Sequence, residues 1–164
     1  MARAFDEAVA NASAQGIQGE ELVRIGKEAA ERIAEALKYF STPPDGLEHI
    51  FQGVVKGTKG WHHEPSSTIG TIVSIIKGPD TNGIYEATVK IGGVLKKDTS
   101  TFFPRKWSKT EVIEAIFDAY KNAKPVAKLD GTEFVQKWVG TSRGITIEMF
   151  LDKEGRIVSA FPKM

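Results

Sequence analysis

The first third of the chain carries a hydrophobic pattern typical of helices. An alanine-rich stretch predicts a first helix over residues 3–15. A second helix is predicted over 20–40, because apolar residues recur every three or four positions and line one face: Leu22, Ile25, Ala29, Ile33, Leu37 and Phe40. Pro43 and Pro44 follow, and proline cannot continue a helix. We therefore predict a helical segment over residues 1–43 and a separate domain over 44–164.

After the prolines the pattern changes to one typical of strands. A short helix or turn is predicted over 47–52, followed by a loop rich in glycine, serine and lysine up to residue 70. Three segments rich in Val, Ile, Thr and Tyr then predict an antiparallel meander: 71–77, 84–91 and 94–103. The pair Asn82-Gly83 supports this prediction, because it tolerates the positive φ of a tight hairpin turn.

A capping box begins the next predicted helix. Ser108 and Glu111 have the spacing that lets each side chain bond a free backbone N–H of the first turn. An apolar stripe follows over 112–120, and residues 123–129, with Pro125, are predicted to be a linker. Three more strands are predicted over 132–139, 144–151 and 156–161. The predicted fold class is α+β: N-terminal helices followed by two small antiparallel β-meanders separated by a helix.

Composition narrows the classes of function. The chain has 164 residues and no cysteine, which excludes disulfides, thiolate nucleophiles and cysteine-based metal sites. The net charge of +1 argues against a protein that coats duplex DNA. Charge is nevertheless uneven, because residues 49–164 hold 17 basic and 12 acidic side chains. This excess fits a local cationic groove or an ordinary solvated surface. No apolar run approaches the roughly 18 residues of a membrane span, and no signal peptide is predicted.

Histidines are the main candidates for chemistry. Their side chains both give and take a proton near neutral pH, so a pair can act as base and acid in one displacement. The chain has three: His49, His62 and His63. Adjacent residues such as His62 and His63 rarely bind one ion together, so no metal site is predicted. The motifs of serine hydrolases, nucleotide triphosphatases and dinucleotide-binding enzymes are absent from the sequence.

Four separated segments resemble the EndoU endoribonucleases. They are DGLEHIFQG at 45–53, GWH at 60–62, KKDTSTFFP with the following WS at 96–108, and GRIVSAFP at 155–162. The resemblance runs from residue 45 to residue 164 in the family's order, and this family includes bacterial toxins, animal enzymes and the coronavirus uridylate-specific endoribonuclease. The resemblance implies an EndoU-like catalytic domain over 44–164, which cleaves RNA by attack of the 2′-hydroxyl on its own phosphorus. The expected products are a 2′,3′-cyclic phosphate and a 5′-hydroxyl.

The resemblance also assigns expected catalytic roles. His49 and His62 would transfer the protons, with His63 as the alternative to His62, and which histidine is the base stays open. Lys96 would place an ammonium beside the phosphate, with Lys97 as its alternative. Ser159 matches a threonine of the family and would bond the phosphate or the base.

Substrate contacts are expected from Lys97, Ser100, Thr141 and Phe161. Phe161 stands where many members have tyrosine, so a strict preference for uridine is not expected. The expected substrate is single-stranded or tRNA-like RNA, cut at pyrimidines and above all at uridine, with neither DNA nor membrane as a partner. No cofactor is required by this chemistry, although stimulation by manganese stays open.

If the chain is a bacterial toxin domain, we expect a soluble protein that is delivered into the cytoplasm of a target cell and neutralised by an immunity protein. Otherwise we expect a soluble protein of the cytoplasm. The alternative from another class is a catalytically silent domain for RNA binding or protein interaction.

Overall fold

The structure, a computed structural model, describes residues 2–42, 45–131 and 134–164. It divides the chain into two units, Met1–Lys38 and Tyr39–Met164. The predicted boundary between residues 43 and 44 falls on two residues outside the described ranges. Among the described residues, no helix is both long and apolar enough to cross a membrane.

The first unit is a pair of helices, α1 (Ala2–Ala14) and α2 (Glu20–Leu37). A β-carbon added at Gly26 would lie 2.6 Å from the ring of Phe5, so the absence of a side chain there lets the two helices approach closely. Both predicted helices are present. The second ends at Leu37 rather than at residue 40, and Lys38 is its C-cap.

The first helix of the second unit is α3 (Gly46–Phe51), whose first turn is capped by the carboxylate of Asp45. A four-stranded antiparallel sheet follows, made of β1 (Gly70–Lys77), β2 (Tyr85–Ile91), β3 (Val94–Leu95) and β4 (Ser100–Phe102). The predicted strand over 94–103 is in fact two short strands, which both pair with β2. A loop at 96–99 separates them and lies beside the site described below.

The core of this first sheet comes from alternate residues of β2, which all point to one side: Tyr85, Ala87, Val89 and Ile91. Trp61 and Phe102 pack against them. Trp61 meets Gly70 so closely that a β-carbon there would lie 2.6 Å from the indole. The segment that contains the second histidine is thereby anchored in the core.

A second four-stranded sheet follows α4 (Lys109–Asn122), which begins with the predicted capping box. Its strands are β5 (Lys124–Lys128), β6 (Gln136–Ser142), β7 (Ile145–Leu151) and β8 (Ile157–Lys163), paired in chain order. The prediction of a linker over 123–129 is wrong, because β5 occupies most of it. Pro125 is tolerated because β5 pairs only with β6 and is an edge strand, where one backbone N–H can be absent.

The first sheet, α3 and the second sheet meet along β8. Strand β4 contacts β8, and α3 contacts it as well. At Gly46 a β-carbon would lie 2.3 Å from the carbonyl oxygen of Ile157, so only glycine allows α3 to begin this close to β8. The backbone N–H of Ser41 also donates to that carbonyl. These contacts bring the histidine of α3 to the strand that ends the chain.

Candidate active site

A cleft of about 500 Å³ lies in the second unit, between α3, the loops at 57–60 and 96–99, and the second sheet. The four residues predicted to be catalytic all line it: His49, His62, Lys96 and Ser159. Lys97 and Phe161, predicted to bind substrate, line it too. Its volume is in the range of sites that bind small molecules, so it can hold a nucleotide.

Backbone hydrogen bonds bring the two cleft histidines together. The N–H of Trp61 donates to the carbonyl of His49 over 2.8 Å, and the N–H of His62 donates to that of Ile50 over 2.7 Å. Gly60 makes this pairing fit, because its φ is +77° and an added β-carbon would lie 2.0 Å from the His49 carbonyl oxygen. The loop between the histidines is thus closed onto α3 by its own backbone.

His62 is held as a neutral imidazole of one tautomer. Its Nδ1–H donates to the carbonyl of Thr101 over 2.8 Å, which leaves the lone pair on Nε2. Burial lowers the pKa of His62 well below its usual value, and the charges of Lys96 and His49 lower it further, against the opposing effect of the Thr101 bond. A base is therefore available in this cleft at neutral pH.

His63 has a different environment although it is the next residue. Its Nε2–H donates to the carbonyl of Trp107 over 2.7 Å, and its Nδ1 accepts from the hydroxyl of Ser66 over 2.5 Å. The side chain is buried and does not line the cleft. Burial also lowers the pKa of His63. His63 joins its loop to the segment before α4, whereas His62 lines the cleft.

Of the two candidate lysines, Lys96 is the one whose ammonium is hydrogen-bonded to residues beside the cleft. Its Nζ donates to Ser100 Oγ over 2.7 Å and to the carbonyl of Gly60 over 3.0 Å. Burial lowers the pKa of Lys96 to about 8, although Asp98 opposes the shift. Lys97 also lines the cleft, but it is exposed. We call His49, His62 and Lys96 the cationic wall of the cleft, after the ammonium of Lys96; the imidazole of His62 in this wall is neutral.

A second wall of the cleft consists of aromatic rings. Phe161 lies 5.2 Å from the ring of His62 and 5.6 Å from that of Phe150, between centroids. Phe134 stacks on Phe150 at 4.8 Å. We call Phe134, Phe150 and Phe161 the aromatic wall. Ser159 lies opposite Phe150 in the β7–β8 ladder, and its side chain therefore shares the face of Phe150 and Phe161.

Two residues predicted to bind substrate lie elsewhere. Ser100 is 0% exposed and lies beneath Lys96. Thr141 does not line the cleft. Its backbone N–H donates to the side-chain oxygen of Asn122 at the end of α4, and its carbonyl accepts from the amide nitrogen of the same side chain. The structure thus does not bring Thr141 to the other predicted residues.

Sequence reasoning missed several residues that line the cleft: Lys59, Asp98, Thr101, Phe134 and Phe150. Strand alternation together with the hairpin at 152–155 could have indicated Phe150, which pairs with Ser159. No local signal indicates Phe134, whose approach depends on the tertiary fold. Within the described ranges, no group of three or more metal-binding side chains is found.

Comparisons with known proteins show the family to which the chain belongs. The model of the family described as bacterial EndoU nuclease matches residues 44–164. A protein named Toxin from Bacillus cereus (strain ATCC 14579) is 35% identical over 128 residues, an alignment that covers 73% of this chain and 22% of that relative. The chain thus spans about a fifth of the curated relative that it matches. No solved structure matches.

Proposed function

Because this chain belongs to the bacterial EndoU nuclease family, we propose that its cleft cleaves RNA by transesterification. The ribose 2′-oxygen forms a bond to the neighbouring phosphorus, and the bond from phosphorus to the 5′-oxygen breaks. The base takes the 2′-hydroxyl proton and an acid gives a proton to the leaving 5′-oxygen. The products are a 2′,3′-cyclic phosphate and a 5′-hydroxyl. The observation that carries the proposal is the cationic wall, with two imidazoles and one ammonium in a single cleft.

In this proposal His62 is the general base. A base must be unprotonated before the reaction, and burial together with two neighbouring cationic groups keeps the pKa of His62 low. The Thr101 carbonyl fixes Nδ1 as the donor, so Nε2 is the nitrogen that accepts the proton. This orientation is the one in which a histidine base is usually held by a backbone or carboxylate oxygen.

His49 is then the general acid, and Lys96 stabilises the charge that develops on the phosphorane. The substrate supplies its own nucleophile, so this mechanism fits a chain without cysteine. An ammonium in a partly desolvated cleft interacts with a phosphate more strongly than it would in water. We propose that Ser159, which lines the cleft, donates its hydroxyl to a phosphate oxygen or to the nucleobase.

We propose single-stranded RNA as the substrate, with cleavage at pyrimidines. Unpaired bases can stack on aromatic side chains, and Phe161 beside His62 offers such a ring next to the reacting centre. Phenylalanine lacks the hydroxyl of tyrosine and cannot bond a base edge. We therefore expect uridine and cytidine to be cut at comparable rates. An exposed RNA loop, such as those of a tRNA, has the required form.

The name of the Bacillus cereus relative supports a biological role as a toxin. We propose that this domain degrades RNA in the cytoplasm of a target cell, and that a cognate immunity protein blocks it. The proposed chemistry needs no metal, although manganese could still stimulate binding of a polyanion. An EDTA series with manganese added back would measure any such effect.

The test is cleavage of end-labelled RNA by the purified chain, with analysis of the product ends. We expect cyclic phosphate ends, no cleavage of a substrate with 2′-deoxyribose, and a loss of about 10²–10⁴-fold in rate for His62→Ala, the range that one general base contributes. His63→Gln is the matched control, because His63 does not line the cleft. It should keep most of the activity.

Other outcomes would contradict the proposal. RNA that is bound but left intact by the wild type would indicate a catalytically silent binding domain. Neither binding nor cleavage would indicate a protein-interaction module. Cleavage that survives in 2′-deoxy substrates would contradict the transesterification step while leaving nuclease activity in place.

A further inference from the structure

Ser100 occupies a place in the fold where no base can reach it. The residue lies on β4, paired with the buried Ala87 of β2, and its side chain is 0% exposed. It does not line the cleft, although Lys96, Thr99 and Thr101 around it do. A residue that reads the edge of a base must present a donor or an acceptor to the cleft, and Ser100 presents neither.

The hydroxyl of Ser100 is instead used within the protein. Its oxygen accepts from the Nζ of Lys96 over 2.7 Å, and its own proton points to the carbonyl of Gly60 over 3.3 Å. Lys96 Nζ donates to the same Gly60 carbonyl over 3.0 Å. An ammonium has three protons, so two are held by the protein and one is left for a ligand in the cleft.

The Gly60 carbonyl links this arrangement to the histidines. Gly60 has the positive φ that closes the loop onto α3, and the two residues after it are Trp61 and His62. The ammonium is therefore fixed to the same backbone segment that sets the distance between the imidazoles. A free lysine side chain would have to be ordered at each reaction, because its four-carbon stem is flexible.

We propose that Ser100 is a positioning residue, which holds the Lys96 ammonium against the Gly60 carbonyl so that one N–H faces the scissile phosphate. This inference rests on the function proposed above. It replaces the expectation that Ser100 contacts the substrate. The two roles predict different kinetics, since a positioning residue changes the rate at every base whereas a base reader changes the preference between bases.

The experiment uses Ser100→Ala in the full chain, with uridine- and cytidine-containing dinucleotide substrates. We expect kcat to fall roughly 10- to 100-fold, the range for losing one hydrogen bond to a charged group. KM should stay within about twofold, and the ratio of uridine to cytidine cleavage should not change. Ser142→Ala is the matched control, because Ser142 is a buried serine of β6 outside the cleft. That variant should have wild-type kinetics.

A second measurement follows the lysine directly. NMR titration of Lys96 in the wild type and in Ser100→Ala should show a lower pKa in the variant, because the hydroxyl oxygen stabilises the charged ammonium. Ser100→Cys, of similar size but with a weak acceptor, should fall between the two. This measurement requires no substrate, so it separates a failure of this inference from a failure of the proposed ribonuclease function.

Two results would overturn the inference. One is a change of more than about threefold in the uridine-to-cytidine ratio of Ser100→Ala with kcat preserved, which would make Ser100 a base reader. The other is an unchanged Lys96 pKa in that variant. If the wild type cleaves no RNA, the proposed function fails and the catalytic role of Ser100 fails with it, whatever the titration shows of the bond to Lys96.

Discussion

The two walls of the cleft are built by different means. The cationic wall stands on α3 and on loop residues, and hydrogen bonds to the backbone carbonyls of His49, Ile50 and Thr101 hold its groups in place. Two rings of the aromatic wall, Phe150 and Phe161, stand on regular neighbouring strands, where alternation alone puts their side chains on one face. The two walls meet where the ring of His62 lies against that of Phe161.

The difference shows which parts of the site tolerate change. Proton transfer needs groups at hydrogen-bonding distance from the reacting atoms, and in this cleft those groups come from α3 and from two loops. The loops place them by adopting backbone conformations such as the positive φ of Gly60. Stacking on a base tolerates larger displacements. We therefore expect backbone changes to disable the cationic wall and side-chain changes to weaken the aromatic wall gradually.

The largest effect is expected from Gly60→Ala. The new β-carbon would lie 2.0 Å from the His49 carbonyl, so the loop must move away from α3 and separate the two histidines. We expect kcat/KM to fall at least a hundredfold and stability to fall by roughly 3 kcal/mol, measured by urea denaturation. Gly93→Ala is the control, because Gly93 has a similar φ of +81° but open space around it. It should cost about 1 kcal/mol with activity kept.

The activity should depend on pH through groups of the cationic wall alone. The pKa of Lys96 is about 8, so its charge is lost above that pH and kcat should fall roughly tenfold for each further unit. On the acid side kcat should hold until well below pH 6.5, because His62 stays neutral there. Lys96→Arg should remove the alkaline fall, since arginine stays charged. An alkaline limb that is the same in Lys96→Arg would assign it to another group.

The aromatic wall should respond to Phe161→Ala with a smaller loss. Stacking of one base on an aromatic ring contributes roughly 1–3 kcal/mol, so we expect KM to rise about tenfold with kcat changed little. Phe161→Tyr keeps the ring and adds a hydroxyl, and should leave KM unchanged while raising the preference for uridine. Dinucleotide kinetics measure both. A large fall in kcat in Phe161→Ala would mean that this ring orients His62 rather than the nucleobase of the substrate.

The smallest expected effect is on stability in mild acid. The pKa values of His62 and His63 are both depressed by burial, so below pH 6.5 the unfolded chain takes up protons that the folded chain does not. Stability should therefore fall as the pH drops from 7 to 5, by at most about 1.4 kcal/mol per pH unit for each histidine. His63→Gln should make this slope shallower, as followed by urea denaturation at each pH. Equal slopes in both proteins would contradict the assignment to His63.

The secondary structure was predicted well where one local signal dominates. The capping box at Ser108 and Glu111 begins α4 as expected, and the proline pair follows soon after α2. The predictions were wrong where pairing with a distant strand determines the local structure. Residues 124–128 have a proline and little alternation, yet β6 supplies a partner and they form an edge strand. Residues 96–99 read as part of one strand but form a loop.

By itself the sequence determined the α+β class, the chemistry of the candidate groups and their membership in one family pattern. It also excluded a thiolate nucleophile, because the chain has no cysteine. Only the tertiary structure shows how neighbours differ: His62 lines the cleft and His63 does not, Lys96 bonds Ser100 and Gly60 whereas Lys97 is exposed, and Ser100 lies beneath the ammonium. The physical reason is that adjacent residues share composition and local propensity, whereas burial and hydrogen-bond partners come from segments far apart in the chain.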